Sequence, residues 1–222
     1  MSALTGPERP PAGGGQPRKL VLLLHGLGAD GNDLIGLAEP WGRLVPHASF
    51  AAPDAPEPCD MAPMGRQWFS LSDRSPERVA EGVAGAADAI NADIDARLQA
   101  LGLGEQDLAL VGFSQGTMMS LHVAYRRAAP CAGVLGFSGR LVGGEHLGSE
   151  LRVRPPALLI HGDADDLVPV GALFEAATLL GACEVPVQWH VSRGIGHGIA
   201  PDGLEFGGRF LRDVLGGGEP PR

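Results

Sequence analysis

The sequence predicts an α/β protein, a mostly parallel sheet with helices on both faces, and two observations predict it. Short apolar runs alternate along the chain with stretches whose apolar residues recur at steps of three and four, the marks of strands and amphipathic helices taking turns. The strand-like runs are continuously apolar, as in "LVLLL" at 20–24 and "LALVGF" at 108–113, which calls for a sheet covered on each side. A length of 222 residues sets the default at one domain whose core stands without staples.

Taken in order, residues 1–17 are rich in Pro and Gly and show no apolar periodicity, so they read as a flexible tail. Strands are expected near 19–25, 48–52, 107–112, 132–137, 156–161 and 186–191. The clearest helix follows Ser75-Pro76, an N-cap and N1 pair, after which Val79, Val83, Ala86, Ile90, Ile94, Leu98 and Leu101 mark one face. Further helical patterns fall near 33–45, 115–128, 170–182 and 202–215. The final "GGGEPPR", 216–222, reads as a second flexible tail, leaving 18–215 as the domain. No internal repeat interrupts this alternation.

Composition narrows the function. With 44% hydrophobic and 19% charged residues the chain is globular, and a net charge of −9 argues against nucleic acid and anionic membranes, which are held by clustered Lys and Arg. Cys59, Cys131 and Cys183 are far apart and form no metal-ligand spacing, so they are expected as reduced thiols. "MSALTGPERPPAGGGQPRK" lacks an apolar h-region, and "LVLLL" is too short for a signal or a membrane span. A cytoplasmic protein without stable membrane insertion is the expectation.

One stretch carries chemistry. In "LALVGFSQGTMMSLHVAY", Gly112-Phe113-Ser114-Gln115-Gly116 fits G-x-S-x-G, in which a strand turns sharply into a helix and thrusts a serine out of the bend. Among 34 glycines the pattern alone serves equally well for a plain turn serine. Chain order is the test, because the acid and then the histidine should follow the serine. "LLIHGDADDLVP" brings Asp163, Asp165 and Asp166 into a loop after an apolar strand, and "VQWHVSRGIGHGIAPDG" does the same for His197. Both loops follow the carboxyl ends of strands, where parallel sheets carry ligand sites.

Among the histidines, His197 is favoured as base by its flanking glycines. His190 falls within an expected strand, His146 and His161 precede the aspartates, and His25 and His122 fail the order. The loop "HGLGADGND" lets the Leu27 N–H join that of Gln115 in an oxyanion hole. A phosphate-binding turn is the weaker reading, since no P-loop lysine follows.

These segments, with "APDAP", "RQWFSL", "FSGRL" and "GIGHGI", resemble the phospholipase/carboxylesterase family of α/β-hydrolases, which includes the acyl-protein thioesterases. The resemblance spans roughly residues 18–215. It implies the α/β-hydrolase fold with Ser114 as nucleophile, His197 as base, the backbones of Leu27 and Gln115 as oxyanion donors, and Asp165 as the acid of H-G-x-x-D-x-x-V-P. Asp166 is the fallback for that acid and Asp163 the third choice. Ser138 in "GFSGR" resembles a structural serine of the family. The implied activity is a serine carboxylesterase acting on short- to medium-chain carboxylic esters or thioesters through an acyl-enzyme on Ser114, with no metal or cofactor. Acyl-protein thioesterase and lysophospholipase are alternatives on the same residues. The family also forms homodimers.

Two rivals compete with that reading. One is a non-catalytic ligand-binding protein on the same fold, which the complete residue set disfavours. The other, a dienelactone-type hydrolase, resembles a cysteine-nucleophile family and conflicts with Ser114.

For the substrate, Gly139 to Arg154 is too short for a cap domain, so an open site is expected. The long connection Pro53 to Ser75 carries Met61, Met64, Trp68, Phe69 and Leu71, which read together as one wall of an apolar acyl groove. Soluble esters rank above micellar triglycerides, since the acidic surface disfavours anionic lipid interfaces.

Overall fold

The computed structural model describes residues 4–216. The expected tails therefore lie outside the described residues at 1–3 and 217–222. The remainder forms a seven-stranded sheet built from β1 (Glu8–Arg9), β2 (Lys19–Leu24), β3 (Ala48–Ala51), β6 (Leu108–Phe113), β7 (Gly133–Phe137), β8 (Ala157–Gly162) and β9 (Val187–Ser192). Its spatial order is β1-β3-β2-β6-β7-β8-β9. Every pairing from β3 to β9 is parallel, and β1 alone runs antiparallel to its neighbour β3.

The continuous apolar strands are explained by two cores. Leu20, Leu22 and Leu24 of β2 point into one, while Val21 and Leu23 point into the other. The first core is closed by α3 (Pro76–Leu101), α4 (Gln115–Ala124) and α6 (Gly171–Ala182). On the opposite face α1 (Gly31–Ile35), α2 (Ala38–Gly42) and α7 (Pro201–Leu215) cover the sheet. Between β7 and β8 stand only a 3-10 turn (Gly144–His146) and the four-residue α5 (Leu147–Glu150), too little for a cap domain.

Three expectations need correction. The helix foreseen over 33–45 is divided into α1 and α2. Pro40 sits inside α2 and, having no N–H, cannot donate to the Gly36 carbonyl four residues earlier, so α1 does not continue into α2.

The second correction concerns Ser75. It precedes α3 as foreseen, but its side chain makes no capping bond, and the helix opens instead with the Val79 N–H donating to the Ser75 carbonyl at 3.0 Å. Two polar residues join the buried face of α3, Asp93 and Arg97.

The third correction explains why those two are buried: residues 4–17 are no free tail. The Ala52 N–H donates to the Pro7 carbonyl at 3.0 Å and the Asp54 N–H to that of Thr5 at 2.7 Å. Arg97 Nε donates to both oxygens of Asp93, at 3.0 and 2.9 Å, and its guanidinium also holds Glu8 and the Leu4 carbonyl. An apolar face was therefore not needed to order this segment. Backbone pairing on a sheet edge and a buried ion pair hold it.

The connection from Pro53 to Ser75 also has structure, a hairpin of β4 (Glu57–Pro58) and β5 (Arg66–Gln67). It lies at the carboxyl ends of the central strands and frames the site.

Candidate active site

The turn from β6 into α4 is the centre of the site. Ser114 has φ 54° and ψ −113°, a conformation that L-residues rarely adopt. It is held by its own N–H donating to the Phe137 carbonyl at 2.9 Å, while its carbonyl accepts from the Thr117 N–H at 3.0 Å. The flanking glycines are needed for space: a Cβ on Gly112 would overlap the Gly116 carbonyl, and one on Gly116 would overlap that of Leu24. Strain at this serine is thus fixed by close backbone approach on both sides, the condition under which such outliers persist.

His197 lies in the loop after β9. Its Nδ1 stands 2.8 Å from Asp165 Oδ2, and since a carboxylate only accepts, Nδ1 carries the proton and Nε2 is the free base. The ring also packs on Phe113, the residue before Ser114, with centroids 5.0 Å apart. Asp165 follows β8, and its other oxygen accepts from the N–H groups of Leu167 at 3.0 Å and Val168 at 2.9 Å. Burial opposes its ionisation, but the Val168 N–H, the His197 ring and the Leu167 N–H outweigh that and hold its pKa below the usual carboxylate range.

A further neighbour of Asp165 was not foreseen in the sequence. His161, buried on β8, has Nε2 at 3.2 Å from Asp165 Oδ2 and 2.7 Å from the Val168 carbonyl. The Val168 carbonyl accepts, so Nε2 carries the proton and bonds that carbonyl, with the Asp165 carboxylate close beside it.

The loop after β2 faces the elbow. A Cβ on Gly26 would stand 3.3 Å from that of Ser114, so this loop touches the serine directly. The Gly28 N–H donates to the Arg66 carbonyl and the Arg66 N–H to the Ala29 carbonyl, each at 2.9 Å. His25 Nε2 accepts from the Ala55 N–H at 3.0 Å, so its Nδ1–H donates to the Gly26 carbonyl at 2.8 Å. Burial lowers the His25 pKa against the opposing pull of the Gly26 carbonyl and keeps this brace neutral. Leu27 lines the same cleft as Ser114, and Gln115 is the first residue of α4, where backbone N–H groups lack helical acceptors.

The cleft holds about 540 Å³, an ordinary size for a small-molecule site. Ser114 and His197 line it beside Leu27, and its apolar lining includes Leu71, Met118, Leu167 and Pro169. Arg74, Arg140 and Glu175 complete it. Two other hollows of similar size lie elsewhere, one over Gly28, Asp33 and Met64 and one between residues 8–17 and α3, and neither contains Ser114.

Of the five side chains assigned from sequence to an acyl groove, only Leu71 lines this cleft. Trp68, 1% exposed, donates its indole N–H to the His25 carbonyl at 2.9 Å. Phe69 is buried over Gly82 of α3. Both are tied down by the buried Gln115 side chain, which accepts from the Trp68 N–H at 2.9 Å and donates to the Phe69 carbonyl at 2.7 Å. Met61 and Met64 are 60% and 94% exposed and lie outside the cleft. The hairpin turns these methionines outward, and a buried amide draws the aromatic pair inward.

The competing residues are occupied elsewhere. His190, on the edge strand β9, stands 2.8 Å from Asp202 and packs on Phe206 with centroids 4.3 Å apart. Asp163 accepts from the Gly194 N–H at 2.5 Å, and Asp166 is exposed. Ser138 is buried at the end of β7, outside the cleft.

With this geometry, known proteins can be compared. The crystal structure of esterase PE8 is 40% identical, superposes with a TM-score of 0.92, and is matched over 96% of this chain and 100% of its own. Acyl-protein thioesterase 1 of Gibberella zeae is 26% identical, matched over 91% of each chain. A probable inactive carboxylesterase of Oryza sativa subsp. japonica is 27% identical over 92% of this chain and 89% of its own. The sequence model of the phospholipase/carboxylesterase family matches residues 11–215, and the chain therefore belongs to that family of α/β-hydrolases.

Proposed function

We propose that this chain is a serine carboxylesterase that hydrolyses short- to medium-chain carboxylic esters or thioesters through an acyl-enzyme on Ser114. The observation that carries the proposal is the 2.8 Å Asp165–His197 pair in the cleft that Ser114 lines. His197 Nε2 takes the Ser114 proton as Oγ attacks the carbonyl carbon, and the oxygen, now negative, is held by the N–H groups of Leu27 and Gln115. Collapse expels the alcohol or thiol, which leaves with the proton from His197. Water, activated by the same imidazole, then releases the acid. The His197 tautomer is fixed throughout by Asp165, whose lowered pKa keeps it an anion beside the imidazolium that forms.

The cleft walls support an apolar acyl chain against Leu71 and Met118, or against Leu167 and Pro169. The free thiols of Cys59, Cys131 and Cys183 fit the reducing cytoplasm, which we take as the site of action.

A relative named as probably inactive makes turnover the decisive test. A fluorophosphonate should label one residue, Ser114, and His197→Gln should abolish labelling while His190→Gln spares it. Loss of either Ser114 or His197 should lower turnover on the order of 10⁴- to 10⁶-fold. Full labelling of Ser114→Ala would overturn the assignment.

A further inference from the structure

The charges around the cleft suggest what it binds. Half of the described cations are paired with a carboxylate, among them Arg78 with Glu81, Arg97 with Asp93 and Glu8, and Arg126 with Glu150. Arg74 and Arg140 line the cleft with Ser114, and among the described residues neither has a carboxylate within 4.0 Å. Arg74 makes only a 4.0 Å contact to the Met61 sulfur. The neighbouring Asp73 is turned away, accepting from the Ser75 N–H at 2.9 Å. One acid, Glu175, shares the lining, so two guanidinium groups face one carboxylate in a chain whose net charge is −9.

Arg140 stands two residues beyond Ser138 at the end of β7, and it follows Gly139, whose Cβ, if present, would lie 2.9 Å from the Ser114 carbonyl oxygen. This guanidinium is thus attached to backbone that packs directly on the elbow. Charges of one sign lining a cleft raise the local concentration of ligands of the other sign. Guanidinium groups also match the planar fork of a carboxylate or the oxygens of a phosphate.

We infer that the preferred substrate is an ester bearing an anionic group away from the scissile bond, held by Arg140 and Arg74. This rests on the esterase reading and sharpens it, from esters in general to acidic ones. The anion can be a carboxylate at the far end of the acyl chain or a phosphate on the alcohol, and substrates separate the two.

The test compares matched pairs by kcat/KM. Ethyl hexanoate is set against the monoethyl ester of adipic acid, and hexanoyl glycerol against hexanoyl glycerol phosphate. The wild type should prefer the anion in one pair, and that pair identifies which side of the ester the arginines hold. Arg140→Gln and Arg74→Gln should each cut the anionic-to-neutral ratio about 5- to 10-fold, mainly through KM. Arg152→Gln removes the same charge from an exposed site outside the cleft and should leave the ratio unaltered. Raising the salt should shrink the wild-type preference, since partly exposed charges are screened.

Neutral esters favoured in both pairs, or equal losses on both members of a pair in both arginine variants, would overturn the inference. Ethyl hexanoate turnover with a labelled Ser114 would then leave the esterase reading standing. Failure of hydrolysis and labelling together would remove that reading and this inference with it.

Discussion

At the scale of single residues, the division of labour among the three aspartates of the loop after β8 is set by what each carboxylate touches. Asp165 is buried against His197, His161 and two backbone N–H groups, Asp163 ties the neighbouring loop at Gly194, and Asp166 faces solvent. Asp165→Asn presents an amide that no longer demands a proton on Nδ1, so the imidazole loses its defined tautomer. Turnover should fall about 10³- to 10⁴-fold, whereas Asp166→Asn should change it little, as single-site kinetics on purified variants would measure. A larger loss in Asp166→Asn would mean that the acid is misassigned by one residue. Chain order brought Ser114 and His197 forward with three aspartates between them, and only the resemblance to the family's H-G-x-x-D-x-x-V-P pattern singled out Asp165. The neighbour of Asp165 on β8, His161, was passed over because chain order tests only for a base, and nothing local says that a β8 side chain turns back onto its own loop.

At the scale of elements, the connection from Pro53 to Ser75 shows where one-dimensional reading ends. Its apolar residues were visible, but their directions were not. Trp68 and Phe69 face the core because the Gln115 side chain, 47 residues from Trp68, pairs with their backbone. Trp68→Ala therefore acts on stability, removing a fully buried indole and its bond to the His25 carbonyl, at about 3–5 kcal/mol. In a thermal melt its midpoint should drop, and acetyl and hexanoyl esters should lose activity alike. Leu71→Ala, by contrast, removes surface from the cleft itself. It should lower kcat/KM for hexanoyl relative to acetyl esters by roughly 5- to 50-fold, with a small change in the melt. Equal losses on both esters would exclude Leu71 from the acyl wall. The same contrast divides the helices. α3, α6 and α7 follow their periodicity closely, while the pattern over 33–45 divides at Gly36, whose carbonyl Pro40 cannot bond.

At the scale of the whole molecule, a buried imidazole, His25, and a half-buried one, His122, link stability to pH. Burial lowers the pKa of His25, and burial together with Arg126, opposed by Glu150, lowers that of His122 to about 4. A folded-state pKa below the unfolded value near 6.5 means that the unfolded chain binds protons more readily. The stability due to these groups is complete above about pH 6.5 and is lost as the pH falls from there towards 4. For His122 the loss is on the order of 1–2 kcal/mol once its partial exposure is discounted. Melts at intervals from pH 8 to 4.5 should show His122→Gln declining less than the wild type. Parallel curves would dismiss His122 as a contributor. Among the described residues no helix is long and apolar enough to cross a membrane.

By itself the sequence determined the alternation of strands and helices, the two-sided burial of the sheet, the elbow at Ser114 and the order of acid and histidine. Each depends on neighbours a few residues apart, where periodicity, glycine spacing and turn chemistry act directly on the backbone. Tertiary structure alone decided that residues 4–17 pair with the β3 edge and an α3 ion pair, and that Trp68 packs inward while Leu71 lines the cleft. It also decided that Arg74 and Arg140 meet at one cleft. Those outcomes join residues far apart in the chain, and the energy that selects them comes from contacts that exist only once the sheet has brought distant loops to the same end.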